Sequence, residues 1–379
     1  MRNRRQFLHG MAGASLAAIC GRGACGLLQA APPQARPAAA KHKPVMVGGK
    51  RIRTVDVHAH INVPEVADFL KGTSLAEAGV IALQGLGYGN PPLGDARLAI
   101  MDKEGIDVQA VSVNAFWYGA DRDLSTRLID FQNQKLAAMI QSAPKDRFAA
   151  YGTVALQFPD LAAKQLEDAM KMGLKGAAIG GSVPGEEVSS PKFDVFWAKA
   201  EELQAPIFMH PQDSANATGV ANRVKGNGVL ANVIGNPLET TIFLSHMIFE
   251  GVLDRHPGLK LCCAHGGGYL PSYADRSDHG CAVFPDQCKN STLRKPPTEY
   301  LKQVYVDSLV FTPEALRHLL NVMGPEHIML GTDYFYPWTE NGPGTLGPVD
   351  HLFATPGLTD AQKVEILGGT ASKWLAIPA

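Results

Sequence analysis

Two histidines one residue apart, His58 and His60, end the run Thr54-Val55-Asp56-Val57-His58-Ala59-His60. In a strand, side chains alternate between faces, so both imidazoles project to the same side and can grip one metal ion. Other apolar runs end in residues of the same chemical kind. Phe208-Met209 leads into His210-Pro211, Cys263-Ala264 into His265-Gly266-Gly267-Gly268, and Leu330-Gly331-Thr332 into Asp333. Imidazole and carboxylate are the donors of zinc, manganese and iron sites. Each residue alone has a plainer explanation, a hydrogen-bonded core histidine or an aspartate capping a helix. Asp307, which ends Tyr305-Val306-Asp307, is open to the capping reading as well. The joint placement of His58, His60, His210, His265 and Asp333 points instead to a metal centre. His42, His256, His318, His327 and His351 fall in linker, helix or loop segments and are assigned to surface or structure.

Scattered residues can meet only if the chain brings the ends of its apolar runs together. Counting from Val55 there are eight strand candidates, at residues 54–60, 108–113, 148–154, 176–179, 206–209, 259–264, 304–306 and 328–330. Nearly all are separated by stretches with apolar residues at helical spacing, such as Leu124, Leu128 and Phe131. Repeated strand-helix alternation means parallel strands, and eight of them close into an α/β fold of the (β/α)8 TIM-barrel type, with chemistry at the carboxyl ends of the strands. An open doubly wound sheet is the rival, but the glycine fingerprint after the first strand is missing. Residues 62–95, with Gly85, Gly87, Gly89 and Pro91-Pro92, read as an irregular loop; no lysine-serine pair follows to make it a phosphate cradle.

The first forty residues stand apart from this pattern. Arg2, Arg4 and Arg5 precede an apolar run from Met11 to Cys20 that is far shorter than the roughly 20 residues needed to span a bilayer. Asn3-Arg4-Arg5-Gln6-Phe7-Leu8 resembles a twin-arginine export signal, so residues 1–40 are expected to be a cleaved signal with its linker, and residues 41–379 one exported, periplasmic catalytic domain. Those forty residues carry five arginines and no acids, so the remainder of a chain with 35 basic and 36 acidic side chains is mildly acidic. Nucleic-acid binding and an integral membrane segment are therefore not expected. Cys262 and Cys263 read as strand packing. Cys281 and Cys288 flank a short loop and are a candidate pair in an oxidising compartment.

The chain resembles the amidohydrolase superfamily, in the branch typified by aminocarboxymuconate-semialdehyde decarboxylase. The resemblance spans residues 54–375 and rests on an ordered set of motifs: Asp56-Val57-His58-Ala59-His60, Phe208-Met209-His210-Pro211, Glu239-Thr240-Thr241, Cys263-Ala264-His265-Gly266-Gly267-Gly268, Arg276 with His279-Gly280, and Gly331-Thr332-Asp333-Tyr334. It implies that His58, His60, His210 and Asp333 hold one divalent ion, zinc or manganese with zinc expected first, and that His265 is the unliganded catalytic histidine working with Asp333. It also implies a homodimer in which Arg276 reaches the neighbouring subunit's site to hold a substrate carboxylate, the plainer alternative being a salt bridge to Asp275 or Asp278. Two departures stand out. The fourth strand ends in Gly180-Gly181-Ser182, without the lysine of two-metal members, and Gln212 follows His210-Pro211 where the decarboxylase has tryptophan. No basic residue lies between Lys71 and Arg97 either, where the decarboxylase holds a second substrate carboxylate.

The resulting expectation is a metal-dependent, nonoxidative decarboxylase of a small unsaturated or aromatic carboxylic acid. The alternative is hydrolysis of a lactone, ester or amide at the same site. A barrel that binds a ligand without turnover is a third reading. The separate histidine argues against it.

Overall fold

Strand β1 (Val55–His60) pairs in parallel with β2 (Val108–Ser112), and β2 with the first piece of β3 (Phe148–Ala150). At Tyr151 the third strand changes partner. Its second piece (Gly152–Thr153) pairs with β4 (Ala177–Ile179), followed in order by β5 (Pro206–Met209), β6 (Lys260–Cys263), β7 (Tyr305–Asp307) and β8 (Ile328–Met329). The ring closes from β8 back to β1, where Val57 N–H donates to Leu330 O at 2.9 Å and Asp333 N–H to His58 O at 2.8 Å. This is the eight-stranded parallel barrel expected from the alternation.

The computed structural model describes residues 42–84, 92–212, 217–288, 293–336, 338 and 346–378. The expected signal segment 1–40 and the glycines between residues 85 and 91 lie outside the described residues. Among the described residues no helix is long and apolar enough to cross a membrane.

Crossover helices occupy the places the periodicity marks, α1 (Asp95–Glu104), α2 (Arg122–Ser142), α3 (Pro159–Lys171), α4 (Asp194–Glu202) and α5 (Asn236–Phe249), then, after a further helix α6 (Ala274–Val283) that no spacing marked, α7 (Pro313–Met323). Two of their starts are capped by side chains. Asp121 accepts from Leu124 N–H ahead of α2, and Thr312 accepts from Ala315 N–H with Pro313 in the first turn of α7. The segment expected to be irregular loop after β1 is partly helical, with Val66–Phe69 and Ala76–Gln84. These pieces are short and weakly patterned, so periodicity could not mark them. Cys281 and Cys288 form a disulfide at the end of α6, while Cys262 and Cys263 are buried free thiols, as expected.

Inside the barrel, Phe208 stacks on Tyr151 with centroids 5.4 Å apart, and Trp374 meets Tyr151 edge-on at 5.8 Å. His58 lies directly against this layer, 5.0 Å from the Phe208 ring. Val57, its neighbour, belongs to the same interior cluster. Consecutive residues both reach inward because the β1–β2 register slips between Asp56 and Ala59, a local irregularity of the kind that re-aims side chains beside sites. Outward residues such as Ile207, Met209 and Leu261 pack against the helices.

Tight approach between neighbouring strands demands glycine at one point especially. Gly176, at the entry to β4, has φ +74°, and a Cβ there would stand 1.8 Å from Pro206 O. Gly176→Ala should therefore destabilise the fold by several kcal/mol, at least about 2–4. Urea unfolding checks this; a midpoint unchanged from wild type would contradict it.

Candidate metal centre

The carboxyl ends of β1, β5, β6 and β8 deliver His58, His60, His210, His265 and Asp333 to one place on the barrel rim. Asp333 Oδ1 lies 2.7 Å from His60 Nε2, 3.1 Å from His58 Nε2 and 4.0 Å from His210 Nε2; its Oδ2 lies 3.6 Å from His265 Nε2. The ring centroids of the four histidines stand as close as 4.7 Å, for His60 and His210. One nitrogen from each of His58, His210 and His265 and an oxygen of Asp333 all fall within 4.8 Å of one another. This tightest group includes His265 and leaves out His60, whereas the family resemblance implies the reverse. The direct His60–Asp333 contact keeps His60 in the cluster. His265 differs from the others in access: its side chain is 16% exposed, against 8% or less for the other three.

Backbone conformation helps aim these groups. His265 and Asp333 both adopt positive φ, +59° and +57°, a region that costs energy for residues with a Cβ and persists where the surroundings impose it. The glycines after His265 continue the left-handed turn, and a Cβ on Gly268 would approach Pro237 O to 2.3 Å. Gly331 has a different role. A Cβ there would come within 2.7 Å of the Asp307 Cβ and 3.2 Å of the His58 Cβ, so its absence lets β1, β7 and β8 converge.

Asp307 is the residue for which the capping reading fails. Thr312 caps the following helix, while Asp307, fully buried, accepts from His58 Nδ1 at 2.7 Å, His265 N–H at 2.9 Å, Gly266 N–H at 2.8 Å and Leu309 N–H at 3.1 Å. Holding His58 through Nδ1 directs Nε2 toward the cluster, the usual arrangement behind a metal-binding histidine. Two further supports escaped the sequence reading. Trp338 donates its indole N–H to Asp333 Oδ2 at 2.8 Å, and Asp56 accepts from His58 N–H, Gln109 Nε2, Thr332 N–H and Thr332 Oγ1. The Asp307 position was visible as a strand end; nothing in the sequence links Trp338 to the site.

Charge balance explains why such a cluster suits a cation. Burial alone would drive His58 toward its neutral form, but the Asp333 charge and the Asp307 hydrogen bond outweigh it and hold the imidazole at about 10. Burial pushes His60 down, and burial with the neighbouring imidazoles pushes His210 well down. Burial would raise Asp333, yet the surrounding histidines keep it well below the ordinary carboxylate range. The cluster thus holds an ionised carboxylate beside two imidazoles, His60 and His210, that burial keeps neutral, and beside His58, whose protonation Asp333 and Asp307 favour. Neutral imidazole and carboxylate are the forms that bind a divalent ion. His58 Nε2 and His60 Nδ1 are buried and make no hydrogen bond. Three imidazoles, one carboxylate and an orphaned inward nitrogen fit a metal ion.

Not every expected site residue joins the cluster. Arg276 is exposed on α6, and Asp278, one of its expected salt-bridge partners, accepts instead from Thr298 N–H and Oγ1. Lys175 lies at the opposite barrel end as expected, its Nζ directed to Ala376 O at 3.4 Å. His42 and His256 bridge to aspartates away from the cluster, in keeping with a structural role.

The Asp307 hydrogen bonds make a direct prediction. Asp307→Asn should lower divalent-ion affinity by about 10- to 100-fold while the protein stays folded. Chelator competition with circular dichroism as the folding control reads this; wild-type affinity in the variant would show that His58 needs no such hold.

Comparison with known proteins agrees with the barrel and gives its family. The amidohydrolase family model matches residues 55–377. The 2-amino-3-carboxymuconate-6-semialdehyde decarboxylase of Dictyostelium discoideum is 32% identical over 288 residues, covering 75% of this chain and 76% of the relative. The crystal structure of 5-carboxyvanillate decarboxylase from Sphingomonas paucimobilis superposes with a TM-score of 0.74 at 24% identity, covering 86% of this chain and all of that one. A dihydroxybenzoic acid decarboxylase from Polaromonas, solved with manganese and 2-nitroresorcinol, gives a TM-score of 0.68 at 22% identity over 86% of this chain and 97% of that one. A parallel barrel whose strand ends gather histidines around one aspartate, matched along nearly its whole described length, belongs to the amidohydrolase family.

Proposed function

We propose that this chain is a metal-dependent, nonoxidative decarboxylase of an aromatic or unsaturated carboxylic acid. The observation that carries the reading is the convergence of His58, His60, His210 and Asp333 with a more accessible histidine, His265, at their edge. The decarboxylase names of the relatives support the same chemistry.

His58, His60, His210 and Asp333 would hold one divalent cation. Zinc suits this donor set, and the manganese in the Polaromonas structure makes manganese an equal candidate. Bound there, the cation supplies Lewis-acid polarisation of the substrate and charge neutralisation. His265 and Asp333, with Nε2 and Oδ2 3.6 Å apart, form the proton-handling pair. A proton passes from this pair to the substrate carbon bearing the carboxylate, which becomes tetrahedral. The bond to the carboxylate then breaks, its electron pair returns to the unsaturated system, and carbon dioxide leaves. Asp307 and Trp338 act as positioning residues, one through His58 and the other through Asp333.

Arg276 is included as a contact to the substrate carboxylate supplied by a second copy in a homodimer, supported by its exposure. The export reading of residues 1–40 is likewise retained, and the Cys281–Cys288 disulfide supports an oxidising compartment. Fractionation that found the full-length chain in the cytoplasm would count against it.

His265→Ala should retain its metal and lose turnover by about 100- to 10,000-fold. Metal analysis of the purified variant beside carbon dioxide release from a panel of aromatic acids measures both. A variant working at the wild-type rate would remove His265 from the mechanism, and product gaining the mass of water in place of losing carbon dioxide would indicate hydrolysis.

A further inference from the structure

Between the segments that follow β2, β4 and β5 opens a cavity of about 710 Å³. Phe116 and Tyr118 give it an aromatic face, and Ser182 and Gln212 line it with a hydroxyl and an amide. Gln212 connects this space to the metal centre: its side-chain amide lies 3.2 Å from His210 Nδ1, and its N–H donates to Glu239 Oε2 at 3.1 Å.

The remaining wall is acidic. After β4 the chain forms a small antiparallel hairpin, Ser182–Val183 against Glu186–Glu187, which brings both glutamates to the cavity. Glu186 is paired with Lys192 Nζ. Glu187 has no basic partner among the described residues, and no lysine or arginine is among the described residues lining this space. Arg97, the first basic residue after Lys71, is fully buried elsewhere, donating to Gln109 Oε1 and His60 O.

We propose that Glu187 is a specificity-determining residue that rejects a second carboxylate on the substrate. Resting on the decarboxylase reading, this assigns as substrate an aromatic acid with a single carboxylate, the one that leaves, and with hydroxyl or amino donors on the ring edge facing the hairpin. A carboxylate at that edge would meet Glu187 in a space walled partly by aromatic rings, where like-charge repulsion is poorly screened. A phenol or amine would donate to it.

The test uses two unreactive ring analogues on the metal-loaded protein, with affinities read by calorimetry. One, 2-nitroresorcinol, has no carboxylate; the other, 4-hydroxy-3-methoxy-5-nitrobenzoic acid, keeps one away from its nitro group. Wild type should bind the resorcinol about tenfold or more tightly than the acid. Glu187→Lys should move that ratio toward the acid by about tenfold, and Glu187→Gln should move it the same way by less. Equal affinities in wild type, or a ratio unmoved in both variants, overturns the proposal. Binding needs no turnover, so the selectivity pattern without carbon dioxide release from any aromatic acid would sink the decarboxylase reading alone. Carbon dioxide release without the pattern would sink the Glu187 assignment alone.

Discussion

A carboxylate sealed from water must find donors or be neutralised, and Asp307 finds four, one on its own strand's exit and three on β1 and the turn after β6. The geometry of the centre depends on those bonds. One fixes the ring of His58 from behind, two fix the backbone on which His265 turns, and the last fixes the exit from β7. A single side chain thereby couples three strands whose ends would otherwise be set only by general packing. Asp333 completes the arrangement from the other side, facing the imidazoles with one oxygen while Trp338 and His265 share the other.

This coupling shows why the barrel suits the chemistry. Parallel strands put all their carboxyl ends on one rim, so residues separated by more than two hundred positions in sequence can meet without any loop having to fold over to deliver them. The loops are then left to shape the space around the centre. The hairpin after β4 presents glutamates and small residues to the cavity beside the centre.

Much of this was legible before any coordinates. Strand-helix alternation gave the barrel, and His58, His60, His210, His265 and Asp333 were identifiable because each terminates an apolar run. The unreadable parts depend on contacts between distant segments. Asp307 looked as much like a helix cap as a hub, since local sequence shows a donor or acceptor but never its partner. Trp338 and Gln109 carry no pattern at all, and the short helices after β1 are too brief for a period to show. The slip in register within β1 is equally silent: strict alternation rightly put both histidines on one face, but it could not put Val57 there too.

The stacked rings of Phe208 and Tyr151, with Trp374 beneath, form a dry floor directly below His58. Traffic through that end of the barrel is blocked by three aromatic side chains almost wholly out of reach of solvent. Acid arriving and gas departing must consequently use the same doorway at the upper mouth, and whatever narrows that doorway governs both.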